Sequence, residues 1–302
     1  MAVIAAGVAT DEDLAPHISP AYDAWRRFAR NPLALFGVGI VAVLVLAAIF
    51  APILGHYDPN KLDMSLIGTP TPPSFAHPFG TDVDGRDYFS RALFGARISL
   101  EVGFVAMLVA ISLGTVYGLI AGFYRGPIDA TMMRFVDVML SFPSFFLILT
   151  VEALTNQFSI LVIMLVIGLL SWPGVSRLVR AQVMSLRERD FVVASTASGA
   201  RDGRIIFRHL LPNAMAPVIV AATLAIGDNI LIESGLSYLG LGVQPPTPSW
   251  GNMLQKALDP DTLSAPWLIA IPGLLILITV LGFNFVGEGL REALDPRAGM
   301  TR

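Results

Sequence analysis

The chain has no cysteine, which excludes disulfides and thiolate metal sites without identifying a compartment. Its only lysines, Lys61 and Lys256, follow Asn60 and Gln255. A phosphate-binding loop requires Gly-Lys-Ser/Thr, so no such loop is read in this chain. Charge is scarce: 14% of residues are charged and 54% hydrophobic, too apolar for a water-soluble domain of this length. The formal net charge of -3 says little about partners, because charge is sorted by loop. Nothing reads as a strand, a low-complexity tract or an inverted repeat. Residues 2–9 form one short apolar run with no basic residue ahead of it, so no signal peptide is expected.

Long apolar runs are what the chain does have. The first, 33–54, follows Arg26, Arg27 and Arg30 and makes about 33 Å of helix, enough for a bilayer core. It reads as a retained signal anchor. Five more spans follow at roughly 98–123, 131–153, 160–179, 213–236 and 266–287, interrupted by Gly, Pro and occasional acids as in helices packed against protein. Six spans place both termini on one side. A cytoplasmic assignment for that side leaves only Lys61, Arg86, Arg91, Arg97 and Lys256 outside, as the positive-inside bias requires. His17, His56, His77 and His209 all lie outside the spans, so neither a Ser-His pair nor a zinc site forms at membrane depth, and an intramembrane protease is disfavoured.

Between the fourth and fifth spans, Arg177, Arg180, Arg187, Arg189, Arg201, Arg204 and Arg208 crowd one hinge. The hinge reads helix, turn, helix: Asp190 caps the first piece, Gly199 ends it in a left-handed turn, Asp202 caps the second, and Pro212 stops it. Such short helices are marginal alone in water. Phe191, Val192, Ala194, Ile205, Ile206, Phe207 and Leu210 give them apolar faces, which fits docking to a cytoplasmic partner or resting on lipid headgroups. The flanking spans argue against a DNA-reading helix-turn-helix, and no nucleic-acid partner is expected.

Other features are local. Ala106, Ala110, Gly114, Gly118 and Gly122 form a small-residue stripe that favours close helix packing over a substrate path. Trp172-Pro173-Gly174 is expected to bend the fourth span. Glu101, Glu152 and Glu288 lie near span ends, and Asp137 has Arg134 three residues before it for an ion pair. Asp228, Asn229 and Glu233 sit deeper on related faces, either lining a translocation cavity or bonding between helices. The segment 81–87 resembles a calcium loop but has Leu93 at the twelfth position, where a bidentate Glu is required. It reads instead as a helix start, with Asp87 and Arg91 on an amphipathic segment at the outer surface. The proline-stiffened stretch 244–251 offers Pro245, Pro246, Ser249 and Trp250 to an extracytoplasmic partner, or Trp250 as an interface anchor.

These motifs, in this order, resemble the permease subunits of bacterial ABC importers, in the dipeptide, oligopeptide and nickel branch, and specifically the second permease of such pairs. The hinge from Arg189-Asp190-Phe191 through Gly199-Ala200 to Arg208 and Leu211-Pro212-Asn213 is similar to that family's cytoplasmic EAA loop. Phe79-Gly80-Thr81-Asp82, Gly85-Arg86-Asp87, Ser90-Arg91 and Gly95-Ala96-Arg97 resemble its external signature, and Ser249-Trp250-Gly251 and Leu294-Asp295-Pro296 fit the same branch. One departure is that the EAA triplet falls on Val193-Ala194-Ser195, without its glutamate. The resemblance implies an all-α, polytopic integral membrane protein of six transmembrane helices with the MetI-like type I importer permease fold. Its segments are a cytoplasmic 1–31, a first helix 32–55, an extracytoplasmic 56–97, a core 98–290 holding the coupling loop 180–213, and a cytoplasmic tail 291–302.

The resemblance also implies a heteromeric importer in the bacterial cytoplasmic membrane: a second permease, two ATP-binding subunits carrying ATP and Mg, and an extracytoplasmic binding protein. By the same resemblance this chain is expected to bind no cofactor or metal and not to be an enzyme. The coupling residues are Arg189, Asp190, Phe191, Ala194, Ser195, Gly199, Ala200, Arg204, Arg208, Leu211 and Pro212. Short peptides are the implied substrate, with nickel chelates, glutathione or another small solute as alternatives. A rival from another class is an ion-coupled secondary transporter using Asp228, Glu233 or Glu101, which leaves the patterned hinge unexplained.

Overall fold

The computed structural model describes residues 20–155, 159–256 and 264–295. Among them the regular elements are helices, and an isolated bridge between Thr81 and Asp87 is the only strand-like pairing. The first helix, α1 (Pro20–Phe28), leads into α2 (Pro32–Ile49). The Asn31 side chain accepts hydrogen bonds from the Leu33 and Ala34 amides, and Pro32 supplies the fixed first turn of α2. A short α3 (Ala51–Leu54) ends this arm. Then come α4 (Tyr88–Tyr124), α5 (Gly126–Ser141), α6 (Ser144–Thr155) and α7 (Ile160–Arg187). The hinge helices α8 (Asp190–Ala197) and α9 (Asp202–Arg204) lead through a π-helical turn, Ile205–Leu210, into α10 (Leu211–Tyr238). The chain closes with α11 (Trp250–Lys256) and α12 (Trp267–Leu294). Residues 1–19 and 296–302, with Pro296, Arg297 and Arg302, lie outside the described residues.

Among the described residues five helices are long and apolar enough to cross a bilayer, and a sixth crossing requires α5 and α6 to count as one span bent by 80°. The expected continuous helix over 131–153 is therefore broken. Phe142 is extended at φ -97°, ψ 135°, the conformation that a following proline imposes, and Pro143 has no amide to continue the ladder. Pro173 acts differently. α7 runs through it to Arg187, and the Ser176 hydroxyl donates to the Pro173 carbonyl at 2.7 Å. Arg177, Arg180 and Arg187 thus ride on a membrane helix rather than a loop. α4 begins at Tyr88 with Asp87 at its N-cap, the expected helix start, and runs without a break into the span expected at 98–123.

The small-residue stripe of α4 lies against α7. A Cβ on Gly118 would stand 2.5 Å from the Ser176 carbonyl oxygen, and one on Gly114 2.6 Å from the Val175 Cβ. α7 reciprocates at Gly168, where a Cβ would stand 2.6 Å from the Val109 Cβ. In lipid no hydrophobic gain drives helices together, so this interlock is what holds them. Val102, Ile148, Ile163, Ile167 and Leu236 form the cluster that joins α4, α6, α7 and α10.

At the end opposite the hinge the charged segment is internal, not an outer-surface helix. Arg91 is buried, with its guanidinium donating to the Pro59 carbonyl at 3.1 Å and facing Asp82 at 3.7 Å. Asp87 caps α4 through the Ser90 amide and pairs with His77 at 2.9 Å, not with Arg91. Asp82 binds Arg86, and Asp84 binds both Arg86 and Lys256. Asp87 and Arg91 stand four residues apart, but the chain folds back and supplies each with another partner.

Two outcomes follow from this packing. Replacing Gly118 by Val overpacks the α4–α7 seam at a cost of about 1–3 kcal/mol, so the detergent melting midpoint falls, whereas Gly39→Ala, whose Cβ meets nothing within 4 Å, leaves it nearly unchanged. Partial burial pushes the Asp84 carboxyl up, but the Lys256 hydrogen bond and the Arg86 charge outweigh it and hold the group below the usual range. Its stabilisation is then complete above about pH 4, the ordinary aspartate value, and fades as pH falls through the lower folded value. Melting curves of wild type and Asp84→Asn should converge only in that acid range.

Candidate functional site

The hinge is built on the ends of α7 and α10. Asp190 and Asp202 do not cap: Arg189 and Arg201 occupy the cap positions with no side-chain bond, and each acid sits one residue inside. There it faces the positive end of the helix dipole. Gly199 does make the expected left-handed turn, at φ +76°. The Ala200 amide donates to the Ser195 carbonyl and the Gly199 amide to that of Thr196, a Schellman closure. Pro212 does not stop a helix. The chain from Asp202 to Tyr238 is one helical run, with the π turn placed just before Pro212, which sits in the first turn of α10, where a missing amide costs little.

Val192, Ile205 and Leu210 point inward and pack with Phe123, Val179, Val183 and Val218. Phe191, Val193 and Phe207 remain exposed. Beside them lies a hollow of about 500 Å³ lined by Gly199, Ala200, Arg201, Gly203 and Arg204. The hinge therefore keys into the bundle by one face and presents the other. Ser195 and His209 stand 3.5 Å apart on the presented side.

The seven arginines divide by role. Arg180 grips Asp129 of α5 through two nitrogens, and Arg177 pairs with Asp137. Asp137 thus takes a partner from α7 instead of Arg134, because α5 lies alongside α7. Arg187 donates to the Phe123 carbonyl and lies over the Phe123 ring at 5.3 Å. Arg125, missed from sequence, braces the same corner through Glu188 at 3.0 Å. Among the described residues Arg189, Arg201, Arg204 and Arg208 enter no ion pair, leaving four unneutralised charges around the presented face.

The three polar residues of the fifth span separate. Glu233 is fully buried, accepting from Ser237 at 2.7 Å and Ser99 at 3.3 Å. Asn229 is buried one turn away and donates to the Gly103 carbonyl at 3.4 Å. Both face α4, while Asp228 is exposed on another side. Glu233 and Asn229 therefore serve interhelical bonding rather than an open cavity within this chain. Ser99 also accepts from the Trp250 amide, and Ser237 from the Val243 amide. Asn252 donates to the Val243 and Thr247 carbonyls. This polar knot ties α4, α10 and α11 together. A serine four residues after Glu233 was its visible signal.

The knot overturns one expectation. Ser249 and Trp250 are both fully enclosed, and the Trp250 ring nitrogen donates to the Ala92 carbonyl at 3.0 Å. Neither is available to a partner or to the lipid interface, and only Pro245 and Pro246 of that set are exposed. Among the described residues no three His, Asp or Glu side chains converge to hold a metal ion.

Comparisons with known proteins agree with this architecture. Residues 114–300 match the family described as binding-protein-dependent transport system inner membrane component, and residues 19–73 match the N-terminal TM domain of oligopeptide transport permease C. The dipeptide transport system permease protein DppC of Alkalihalophilus pseudofirmus is 44% identical over 95% of this chain and 93% of that protein. The oligopeptide transport system permease protein OppC of Bacillus subtilis is 40% identical over 91% and 89%. The di/tripeptide transport system permease protein DppC of Pseudomonas aeruginosa is 41% identical over 92% and 93%. A chain of the MetNI methionine ABC transporter, solved in inward-facing conformations, shares the fold with a TM-score of 0.54 at 19% identity, over 67% of this chain and 94% of that one. With its helical bundle, its hinge and these matches together, the chain belongs to the binding-protein-dependent transport system inner membrane components, the multi-pass permeases of ABC importers.

Proposed function

We propose that the chain is one permease of an ATP-driven importer that carries short peptides across the bacterial cytoplasmic membrane by alternating access. The observation that carries this reading is the hinge: a closed turn keyed inward by Val192, Ile205 and Leu210, with exposed Phe191, Val193 and Phe207 and four unpaired arginines outward. Such a face fits a protein that pushes on it. The partners are a second permease, two ATP-binding subunits that hold ATP and Mg, and an extracytoplasmic binding protein. The arginine distribution supports cytoplasmic termini. Peptides are favoured because the similar proteins are named for dipeptide, di/tripeptide and oligopeptide transport.

Closure of the ATP-binding pair moves α8 as a lever. Arg180–Asp129, Arg177–Asp137 and Arg187–Phe123 pass the displacement to α5 and α4, and the continuous helical run from Asp202 to Tyr238 passes it to α10. Nucleotide drives the switch only through its different affinity for the two states. Asp228, on the open side of α10, is the path residue of the original three. Glu233 anchors α11 instead, so an ion route through Asp228, Glu233 and Glu101 has no common wall.

A Cβ on Gly199 meets nothing within 4 Å, so substitution there acts through backbone conformation. Gly199→Val should assemble normally yet lose about tenfold or more of ATP-coupled uptake in proteoliposomes, whereas Gly199→Asn, which tolerates the left-handed region, should retain most of it. At the knot, Glu233→Leu leaves the Ser99 and Ser237 hydroxyls without their acceptor at a cost of about 1–3 kcal/mol. Its melting midpoint should fall while Glu233→Gln stays near wild type. Asp228→Asn should alter uptake rate without moving the midpoint.

A further inference from the structure

Away from the hinge, α2 and α4 splay to leave a groove of about 540 Å³. Val41 and Val45 of α2 and Leu100 and Phe104 of α4 form its walls, and Ile226 and Phe283 its floor. Two charged residues, Arg97 and Glu101, line the same groove. Both are exposed, and among the described residues neither enters a hydrogen bond or an ion pair. Charges on a membrane helix call for partners, and the described residues supply none.

Their depth defines the partner. Arg97 lies about 40 Å along α4 from its hinge end, beyond a hydrocarbon core of about 30 Å. Side chains on a helix lean toward its N-terminus, which in α4 is the end far from the hinge. Glu101 is thereby carried up toward the level of Arg97, and both charges meet at the interfacial mouth of an apolar trough. Ile226 faces this trough, whereas Asp228 is turned about 200° around α10, so the groove is separate from the open side assigned to transport.

We propose that the groove is a binding site for a phospholipid whose headgroup carries both a phosphate and a primary ammonium, the phosphatidylethanolamine class, in the leaflet opposite the hinge. The Arg97 guanidinium donates to the phosphate oxygens, the ammonium donates to the Glu101 carboxylate, and one acyl chain lies along the trough. The bilayer solvates that chain as well as the groove does, so selection rests on the headgroup. A choline headgroup has no N–H to donate, and a glycerol headgroup has no cation for Glu101. The site rests on the membrane placement of the proposed function but not on the substrate.

The test is native mass spectrometry of the intact, delipidated importer titrated with phosphatidylethanolamine, phosphatidylcholine or phosphatidylglycerol of identical chains. Wild type should retain the ethanolamine lipid at least fivefold better than either other lipid. Glu101→Gln should bring its retention to within twofold of phosphatidylcholine, and Arg97→Gln should weaken both. Equal retention of all three lipids by wild type, strongest retention of phosphatidylglycerol, or an ethanolamine preference that survives the double variant overturns the proposal. So does a disulfide at high yield between a cysteine placed at Phe104 of this chain, which has no native cysteine, and one on a helix of the second permease. Peptide uptake is not read in any arm, so failure here leaves the importer reading intact.

Discussion

Any side chain larger than hydrogen at position 118 would meet the Ser176 carbonyl at 2.5 Å, so α7 can lie where it does only because α4 presents a small residue every fourth position. Bilayer lipid is as apolar as leucine and gives two such helices no reason to associate beyond close packing and polar contact. The seam brings the backbones together along much of their length. Its effect reaches the hinge because α7 continues to Arg187 without interruption.

That continuity explains how a short hinge holds its shape. Eight residues of α8 cannot sustain a helix alone in water, but Val192 is sunk into a cluster whose other members, Phe123, Val179 and Val183, the seam has already positioned. Ion pairs to Asp129 and Asp137 then bind α5 to the same frame. At the other end the Glu233–Ser237–Ser99 knot and the Asp82–Arg86–Arg91 cluster perform the corresponding task with polar groups. Buried networks of this kind are costly when incomplete, which suits them to fixing one arrangement of α4, α10 and α11.

What the sequence disclosed was what local chemistry determines. Gly199 was legible because a left-handed turn favours glycine, and the small-residue stripe because its period is that of one helix face. The break at Pro143 was not. Proline is tolerated in membrane helices, as Pro173 shows within α7, and the difference lies in the extended backbone of Phe142. Partner choice was also hidden. Asp137 takes Arg177 over Arg134, and Asp87 takes His77 over Arg91, because chain reversal brings in groups that no spacing rule ranks. Trp250 looked like an exposed anchor among prolines, yet its ring nitrogen finds the Ala92 carbonyl. The hinge was legible as a unit because one contiguous segment carries it; the knot around Glu233 draws on three distant ones.

The central claim is that the hinge moves as a rigid body when the partner subunits bind ATP. This chain has no native cysteine, so with cysteine-free partner subunits spin labels can be placed in the intact importer at exposed Val193 and Phe207, and at Val193 and exposed Met64 at the opposite end. Pulsed distance measurements with and without trapped nucleotide should find the Val193–Phe207 distance constant and the Val193–Met64 distance displaced. A changed distance within the hinge, or no change in either pair, contradicts the account.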